Sequence, residues 1–297
     1  MRVLVTGASG FIGRRLCELL SKDGHEVWAL SRGNAPVPGC SATVVGDLSR
    51  TAPDLGAAAP EAVIHLAGES IASGRWTAAQ KGRIKDSRVL GTRHLAEAVA
   101  QLPQPPAVAV CASAIGYYGD RGDELLTETS ARGDGFLAEV TEAWEAEERK
   151  LLPKGRTVSL RVGFVLGPGG GLPRLALPFR LFAGGPVGSG RQWTSWIHRD
   201  DVCGLAQLAL ASEKVEGAVN AVSPEPLQNR ELARTIGKVL HRPSFLPAPG
   251  FALRLALGEM ARELLLVSQR VIPERAVAAG YRFSFPQAEA ALRDALA

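Results

Sequence analysis

Residues 7–13 read Gly-Ala-Ser-Gly-Phe-Ile-Gly and follow directly on the apolar run Val3-Leu4-Val5. An amphipathic segment from Arg14 to Lys22 comes next, and a second apolar run extends from Glu26 to Leu30. A short apolar run, a glycine-rich turn, a segment of helical periodicity and a second apolar run are typical of a β-turn-α-β unit. We therefore predict that the chain opens with such a unit.

The three glycines of this turn have separate roles in a β-turn-α-β unit. Gly7 is expected to make the tight turn, Gly10 to let the backbone approach a pyrophosphate, and Gly13 to let the helix pack on the sheet. The phosphates would lie at the helix N-terminus, where free N–H groups and the helix dipole favour anions. Because the glycines follow the first strand and open a helix, they predict a dinucleotide site.

The end of the second strand distinguishes between the two nicotinamide dinucleotides. An NAD site carries Asp or Glu there to accept a hydrogen bond from the ribose 2′-hydroxyl. This chain has Ser31-Arg32 instead. A guanidinium suits a 2′-phosphate, because each charge-assisted hydrogen bond contributes about 1.5–3 kcal/mol. We predict a preference for NADP(H); the alternative is that Arg32 is a solvated residue at a strand end.

Further segments of the first half alternate in the same way. A third strand, Thr43 to Val45, ends in Gly46-Asp47-Leu48, where Asp47 either faces an adenine or caps the next helix. A fourth strand, Ala62 to Leu66, is followed by Ala67-Gly68-Glu69, whose small residues allow a ligand to approach the backbone. A helix from about Thr77 to Ala100 is predicted after it.

Two more strands, Ala107 to Ala112 and Val158 to Val162, complete a pattern that predicts an α/β fold. Strands alternating with helices favour a doubly wound parallel sheet of the Rossmann type, with helices on both faces. The prediction places an NADP-binding domain at residues 1–165, with 199–222 returning to it. A smaller, interwoven C-terminal substrate domain is predicted for 166–198 and 223–297.

Glycine-rich segments dominate the start of the second half. Gly163 to Gly171 is predicted as a loop, Leu172 to Phe182 as a helix, and residues 184–190 as a turn. We expect these loops to wall a substrate pocket lined by polar and aromatic residues. The proposed lining residues are Arg191, Gln192, Trp193 and Trp196.

The following segment offers a titratable residue. His198 is a candidate catalytic base, but Asp200 or Asp201 as the N-cap of a helix over residues 202–211 is the favoured interpretation. A strand over 217–222 and helices over 229–240, 251–267 and 287–296 follow in the prediction.

Composition restricts the class of protein further. The chain has 297 residues, a net charge of +4 and 22% charged residues, which is typical of a globular protein. Its 27 Arg and 7 Lys are scattered, so we expect no nucleic-acid partner. No apolar run reaches the roughly 20 residues of a membrane span, so no membrane partner is expected. Four well-separated cysteines and a strand at residue 3 lead us to expect no metal site, no signal peptide and a cytoplasmic location.

Several motifs resemble the extended short-chain dehydrogenase/reductase superfamily, which includes the sugar-nucleotide epimerases. A closer resemblance is to the atypical epimerase-family proteins related to human SDR family 39U, and it covers nearly the whole chain. The superfamily resemblance rests on residues 6–13, 65–68 and 196–201, and the closer one on residues 66–71, 87–92, 113–119, 161–171, 184–198 and 269–275.

The superfamily resemblance implies a catalytic Ser/Thr, Tyr and Lys, the last two at i and i+4 so that they share one helix face. Aligned on the helix that begins near Gly135, this chain has Phe136 at the Tyr position and Val140 at the Lys position. The Ser/Thr position falls on Ala114, next to Ser113. Tyr118 and Ser113 remain the catalytic candidates, and the alternative for Tyr118 is an ordinary packing role.

The family resemblance also implies the nucleotide contacts. Together with the glycine turn, they give one predicted cofactor set. Its members are Gly7, Ser9, Gly10, Phe11, Ile12, Gly13, Ser31, Arg32, Asp47, Leu48, Leu66, Ala67, Gly68, Glu69, Arg83, Arg88 and Val162. Arg83 and Lys85 equally suit an exposed helix face.

Two hypotheses for function follow. One is an NADP(H)-dependent oxidoreductase of the epimerase family that acts on an unidentified small carbonyl or hydroxyl compound. The other is a non-catalytic NADP(H)-binding or redox-sensing protein, since the Ser-Tyr-Lys set is missing. A homodimer through helices near 77–100 and 137–152 is a further expectation, because many members of the superfamily pair in that way.

Overall fold

The computed structural model describes all residues, 1–297, and contains thirteen strands and nine α-helices. The strands are β1 (Arg2–Thr6), β2 (Glu26–Ser31), β3 (Ala42–Val45), β4 (Ala62–His65), β5 (Val108–Ala114), β6 (Leu125–Leu126), β7 (Arg156–Val162), β8 (Phe164–Leu166), β9 (Trp193–Thr194), β10 (Trp196–His198), β11 (Gly217–Ala221), β12 (Leu227–Gln228) and β13 (Arg270–Val271). The helices are α1 (Phe11–Lys22), α2 (Ala78–Ala100), α3 (Phe136–Leu151), α4 (Leu172–Arg180), α5 (Arg199–Ala211), α6 (Asn229–Leu240), α7 (Gly250–Leu257), α8 (Glu274–Ala278) and α9 (Ala288–Leu296). A 3₁₀ turn covers Ile115–Tyr118 and a π-helical turn covers Ala261–Leu265.

Seven parallel strands form the central sheet in the order β11-β7-β5-β4-β1-β2-β3. The chain winds outward from β1 in one direction through β2 and β3, and in the other through β4, β5, β7 and β11. This confirms the predicted doubly wound Rossmann fold. The strand order reverses between β1 and β4, and in open α/β sheets ligands bind beyond the carboxyl ends of the strands at that point.

Alternate residues of the strands pack on opposite faces of the sheet, as the period of two requires. Along β5, Val108 and Val110 join the core shared with α1 and α5, whereas Ala109 and Cys111 join the core under α2 and α3. Nearly continuous burial of β1, β4 and β5 explains why these strands read as apolar runs rather than as alternating ones.

A third core lies among α4, α6 and α9. Trp196 and Phe179 are its largest buried side chains, and Leu232, Ile236 and Leu292 pack with them. Residues from 166 to 295 build this core, as expected for a C-terminal unit. The domain boundaries themselves stay a prediction.

Most predicted elements are present within a few residues, and two predictions were wrong. The predicted loop Gly163 to Gly171 contains β8, which pairs in parallel with β10. The predicted helix over 251–267 ends at Leu257, because Gly258 adopts φ +64°, a left-handed conformation that ends the helix. A separate π-helical turn follows it.

Capping at the start of α5 also differs from the favoured interpretation. The N-cap is His198, whose Nδ1 accepts a hydrogen bond from the backbone N–H of Asp200. Asp200 instead forms an ion pair with Arg15 on α1 at 2.7 Å. Asp201 accepts hydrogen bonds from the Tyr281 hydroxyl and from two backbone N–H groups of the following loop. Both carboxylates therefore join α5 to neighbouring segments rather than capping it.

No helix of the structure combines the length and the apolar character needed to cross a bilayer.

Candidate functional site

The predicted glycine turn lies at the strand-order reversal, at the carboxyl end of β1. Gly7 has φ +69°, and a Cβ there would lie 2.9 Å from the backbone of Leu66 and Ala67. A Cβ on Gly13 would overlap the carbonyl oxygen of Gly7. These two contacts confirm that Gly7 is required by the turn and that Gly13 lets α1 approach it.

Helix α1 begins without a side-chain cap. Gly10 is the N-cap residue, it makes no side-chain hydrogen bond, and the first turn contains no acidic residue. Ser9 and Gly10 are exposed, and Phe11 and Ile12 are partly exposed. A helix N-terminus that is uncapped, open and free of carboxylates can take the phosphates of a dinucleotide.

The glycine-rich loop after β8 covers the ring of Phe11. A Cβ on Gly167, Gly169 or Gly170 would lie 2.7–3.0 Å from that ring, and the Arg199 guanidinium lies 5.4 Å from its centroid. The loop was expected to wall a substrate pocket. It lies against Phe11 beside the glycine turn, and this joins the C-terminal part of the chain to the candidate nucleotide site; its role as a pocket wall stays a prediction.

Arg32 follows β2 at the same edge of the sheet. It is exposed, and its side chain makes no hydrogen bond or ion pair within the chain. Ser31 beside it is half-buried. The carboxylate of Asp47 accepts hydrogen bonds from the backbone N–H and the hydroxyl of Ser49, and this contact lowers the pKa of Asp47. Asp47 thus caps a turn after β3 and not the helix that was one of its two predicted roles; the contact with an adenine stays a prediction.

A buried network of hydrogen bonds fixes the backbone that follows β4. The N–H groups of Leu66 and Ala67 donate to Thr6 Oγ1 at 3.2 and 3.1 Å. His65 Nδ1 lies 2.7 Å from the same oxygen, and His65 Nε2 lies 3.0 Å from Thr92 Oγ1.

Hydrogen-bond counting fixes the tautomer of His65. The Thr92 hydroxyl donates to the Arg88 carbonyl at 2.6 Å, so it accepts from His65 Nε2. The Thr6 hydroxyl accepts from two backbone N–H groups, so its own hydrogen goes to His65 Nδ1. Only neutral imidazole with its hydrogen on Nε2 satisfies every group. Complete burial lowers the pKa of His65 to about 4, which keeps the ring in this form.

Arg88 supports the loop after β4. Its guanidinium donates to the carbonyls of Glu69 and Ile84 at 3.0 and 3.1 Å, and it lies against the backbone of Gly68. Burial lowers the pKa of Arg88 to about 10. Arg88 therefore holds the segment that was predicted to contact the cofactor.

Other members of the predicted cofactor set are placed as follows. Arg83 donates to Gln80 and is exposed, as is Lys85, so both occupy the exposed helix face. Leu48 is buried, and its carbonyl accepts from His94 Nδ1 at 2.8 Å. Val162, the last residue of β7, is half-buried.

The two catalytic candidates belong to one buried network between β5, α3 and β7. The Tyr118 hydroxyl donates to Asn220 Oδ1 at 2.7 Å and accepts from the Arg161 guanidinium at 3.0 Å. Burial raises the pKa of Tyr118. The Ser113 hydroxyl donates to Glu145 at 2.7 Å. Tyr118 exposes 0% of its surface and Ser113 exposes 3%, so a substrate has no direct access to either hydroxyl in this conformation. Their catalytic role stays a prediction.

Phe136 and Val140, which the sequence comparison aligned with the superfamily's Tyr and Lys, are an aromatic and an apolar side chain. The ring of Phe136 packs edge-on against Trp76 at 5.2 Å, and Lys81 Nζ lies 4.4 Å above it. Val140 is buried. Lys81 is paired with Glu259 at 2.8 Å. The ammonium group nearest to Phe136 thus comes from α2, not from position i+4 of α3.

Two of the four predicted pocket-lining residues are accessible to solvent, and two are buried. Trp196 lies entirely within the third core, and Gln192 is buried, where it donates to the carbonyls of Val187 and Leu265. Arg191 is exposed and Trp193 is half-buried, with its indole N–H on Asp123 at 2.7 Å. The prediction was wrong for Trp196, whose indole supports the fold.

Three residues of this region were missed in the sequence. Glu145 and Arg161 form the centre of the Tyr118 network. Glu145 stands on the buried face of α3 among apolar residues. An acid at such a position indicates a buried ion pair or hydrogen bond, so the sequence did contain a sign of this network. Glu263 accepts from the backbone N–H groups of Phe136 and Leu137 and so caps α3. Nothing in the sequence near Leu137 indicated a capping residue 126 positions away.

The residues at the sheet edge fit a dinucleotide with a 2′-phosphate. They provide an uncapped helix N-terminus for a pyrophosphate, a free guanidinium at the end of β2, and a rigid backbone segment at Leu66–Ala67. The hydroxyls of the two catalytic candidates, Tyr118 and Ser113, are buried, and proton transfer needs a group within hydrogen-bond reach of the substrate. The geometry thus supports binding more directly than it supports a reaction.

Two family models match this chain. A model described as the NAD dependent epimerase/dehydratase family matches residues 3–221. A domain of unknown function, DUF1731, matches residues 248–295.

Relatives match over the full length. The epimerase family protein YfhF of Bacillus subtilis is 37% identical, with 100% of this chain and 98% of YfhF covered. The crystal structure of human epimerase family protein SDR39U1 with NADPH has a TM-score of 0.89 and 38% identity, with 99% of each chain covered. A nucleoside-diphosphate sugar epimerase structure from Corynebacterium glutamicum has a TM-score of 0.79 and 34% identity, and covers 99% of this chain and 57% of its own.

Proposed function

Because the chain belongs to the NAD dependent epimerase/dehydratase family, we propose that it binds NADP(H) and transfers hydride to or from a small carbonyl or hydroxyl compound. When bound, NADP(H) supplies the hydride acceptor or donor. The chain supplies the binding edge of the sheet and the segments that close over it.

One observation supports the preference for NADP(H) over NAD(H). Arg32 follows β2 with an exposed guanidinium that no carboxylate neutralises by direct contact. A 2′-phosphate at this position would receive charge-assisted hydrogen bonds, whereas the acid that an NAD site needs is missing. The NADPH in the human SDR39U1 structure supports the same choice.

Three groups of residues would bind the dinucleotide at the carboxyl edge of the central sheet. The N-terminus of α1 holds the pyrophosphate, and the Leu66–Ala67 segment, fixed by Thr6 and His65, forms the floor beneath it. Phe11, fixed by the glycine-rich loop, connects this site to the C-terminal part of the chain. The first two groups depend on the close backbone approaches at Gly7 and Gly13, and the third on the small glycines of residues 167–170.

A second candidate function is a non-catalytic NADP(H)-binding or redox-sensing protein. The observation that favours it is the replacement of the proton-transfer pair by Phe136 and Val140. The buried hydroxyl of Tyr118 adds to it, because both of its hydrogen-bonding roles are already filled.

A binding measurement followed by a hydride-transfer screen tests the proposal. Calorimetry should show that NADPH binds more tightly than NADH. The screen then follows oxidation of NADPH with a panel of aldehydes and ketones, and reduction of NADP⁺ with the matching alcohols. Turnover supports the oxidoreductase, and tight NADPH binding without turnover supports the second function. A chain that binds neither dinucleotide would overturn both.

A further inference from the structure

Seven large apolar side chains stand exposed in two segments of the C-terminal part of the chain, residues 177–182 and 245–255. Each exposes more than half of its surface; they are Leu177 at 54%, Leu181 at 68%, Phe182 at 62%, Phe245 at 77%, Leu246 at 52%, Phe251 at 69% and Leu255 at 79%. We call these residues the apolar face. Only four other large apolar residues of the chain are comparably exposed, and they lie elsewhere in the sequence.

Backbone contacts bring the two segments of the apolar face together. The N–H of Leu246 donates to the carbonyl of Gly184 at 3.0 Å, and that of Ala248 donates to Pro186 at 2.9 Å. Residues 244–250 therefore run beside 184–188, and α7 continues from them. Helix α7 has no buried residue at all. With side chains of this size, the seven exposed fractions amount in total to roughly 800 Å² of surface.

Within the two segments that carry the apolar face, the charged residues have one sign, and the carboxylate that follows α7, Glu259, is paired with Lys81. Residues 172–188 and 241–256 contain four arginines and no aspartate or glutamate. Arg180, Arg242 and Arg254 are exposed, and the Arg242 guanidinium lies 4.5 Å from the ring of Phe182. Phenylalanine and leucine next to unpaired arginines are the composition of surfaces that insert into the headgroup region of a membrane.

The arginines also argue against a second copy of the chain as the partner that covers the apolar face. In a two-fold symmetric dimer the same surface lies on both sides of the interface. Arginines of one apolar face would then meet arginines of the other, with no carboxylate from either segment to neutralise them. Anionic lipid headgroups provide the missing negative charge, at about 1 kcal/mol for each arginine near the surface.

From these observations we propose that the apolar face binds the surface of a membrane that contains anionic lipids. Phe182, Phe245 and Phe251 enter the headgroup region, and Arg180, Arg242 and Arg254 contact the phosphates. The earlier expectation of no membrane partner rested on the absence of a spanning segment, and a peripheral contact of this kind needs none. The binding is independent of the cofactor site, because the apolar face shares no residue with it.

Vesicle flotation tests the proposal with the full-length chain. One set of vesicles is phosphatidylcholine alone, and the other is phosphatidylcholine and phosphatidylglycerol in equal parts. We expect the chain to float with the second set only, and to be released as salt is raised, since screening weakens the arginine contacts. Flotation with neither set, or with both sets equally, would overturn the proposal.

Two variants separate the apolar and the charged contributions. F251S/L255S should weaken binding to the anionic vesicles at least about tenfold. R180E/R254E should weaken it as strongly at low salt. Matched changes at exposed residues elsewhere, V277S and R282E, should leave it unchanged. Because all these side chains are exposed, the variants should keep the thermal midpoint of the native chain, which circular dichroism checks.

Sedimentation of the same proteins decides between the membrane and a second copy. If the native chain is a dimer, F251S/L255S is a monomer, and neither floats with vesicles, then the apolar face is a dimer interface and the proposal is wrong. A native chain whose oligomeric state F251S/L255S does not change, while its flotation is lost, supports the membrane.

Discussion

Arg161 donates two hydrogen bonds to the carboxylate of Glu145, at 2.8 and 2.9 Å, and each of the two residues exposes only 4% of its surface. The pair joins β7 to α3 directly beneath the carboxyl end of β5. The ring of Tyr117 lies 3.5 Å from the same guanidinium, so Arg161 is enclosed by a carboxylate on one side and an aromatic ring on another.

Removing one partner of this pair should destabilise the fold strongly. Glu145→Ala leaves a buried guanidinium without its counter-ion, and we expect the free energy of unfolding to fall by about 3–5 kcal/mol. Urea denaturation measures it. Arg93→Ala is the matched control, because the Arg93–Glu147 pair is half exposed on the Arg side and should contribute far less. Equal losses for the two variants would contradict the prediction.

Substitution of Arg32 should change cofactor choice rather than stability. Arg32→Ala removes the guanidinium proposed to bind the 2′-phosphate, and the dissociation constant for NADPH should rise about tenfold to a hundredfold. The constant for NADH, which has no 2′-phosphate, should stay the same. Calorimetric titrations with both dinucleotides measure the ratio, and Arg282→Ala is the control at an exposed arginine outside the predicted cofactor set. An unchanged ratio would show that Arg32 is simply solvated.

Two helical glycines give opposite predictions for the same substitution. Gly13→Ala forces a methyl group onto the carbonyl of Gly7, so it should lower the thermal midpoint and weaken NADPH binding. A Cβ on Gly82 in α2 meets nothing within 4 Å, so Gly82→Ala should stabilise the chain by about 0.5–1 kcal/mol through the helix propensity of alanine. Thermal unfolding of the two variants side by side checks both signs.

The fold could be predicted largely because its deciding signals are local. The glycines at 7 and 13 and the apolar strands lie within short stretches, and their spacing alone determines the β-turn-α-β unit. The cap of α3 by Glu263 and the Arg161–Glu145 pair join residues brought together by the whole topology; an acid on the apolar face of α3 indicates a buried partner for Glu145, but no local pattern identifies Arg161 or Glu263. His198 was missed as an N-cap because Asp and Ser are the preferred caps, and the carboxylates of Asp200 and Asp201 are used by other segments.

Protonation of His65 should cost stability in mild acid. The pKa of His65 is about 4 in the folded chain, below the 6.5 of an exposed histidine, so the unfolded chain binds the proton more readily between these values. Stability from this group is complete above pH 6.5 and is lost as the pH falls toward 4, by up to about 3 kcal/mol. Urea denaturation across this range measures the loss, and His65→Gln, which cannot titrate, should lose less. Parallel pH profiles for the two chains would contradict the assignment of a neutral ring.

Tyr118→Phe distinguishes a structural role of this residue from a catalytic one. The substitution leaves Asn220 Oδ1 without its donor and one Arg161 N–H without its acceptor, in a region closed to water. We expect the free energy of unfolding to fall by about 1–3 kcal/mol, with NADPH affinity unchanged, because the hydroxyl faces the interior of the network and not the sheet edge. Tyr117→Phe is the control, since no hydrogen bond from the Tyr117 hydroxyl is present and its ring keeps the contact with Arg161. If Tyr118→Phe instead abolished hydride transfer in a chain of native stability, Tyr118 would be the proton-transfer residue, and the chain would have to open this network during turnover.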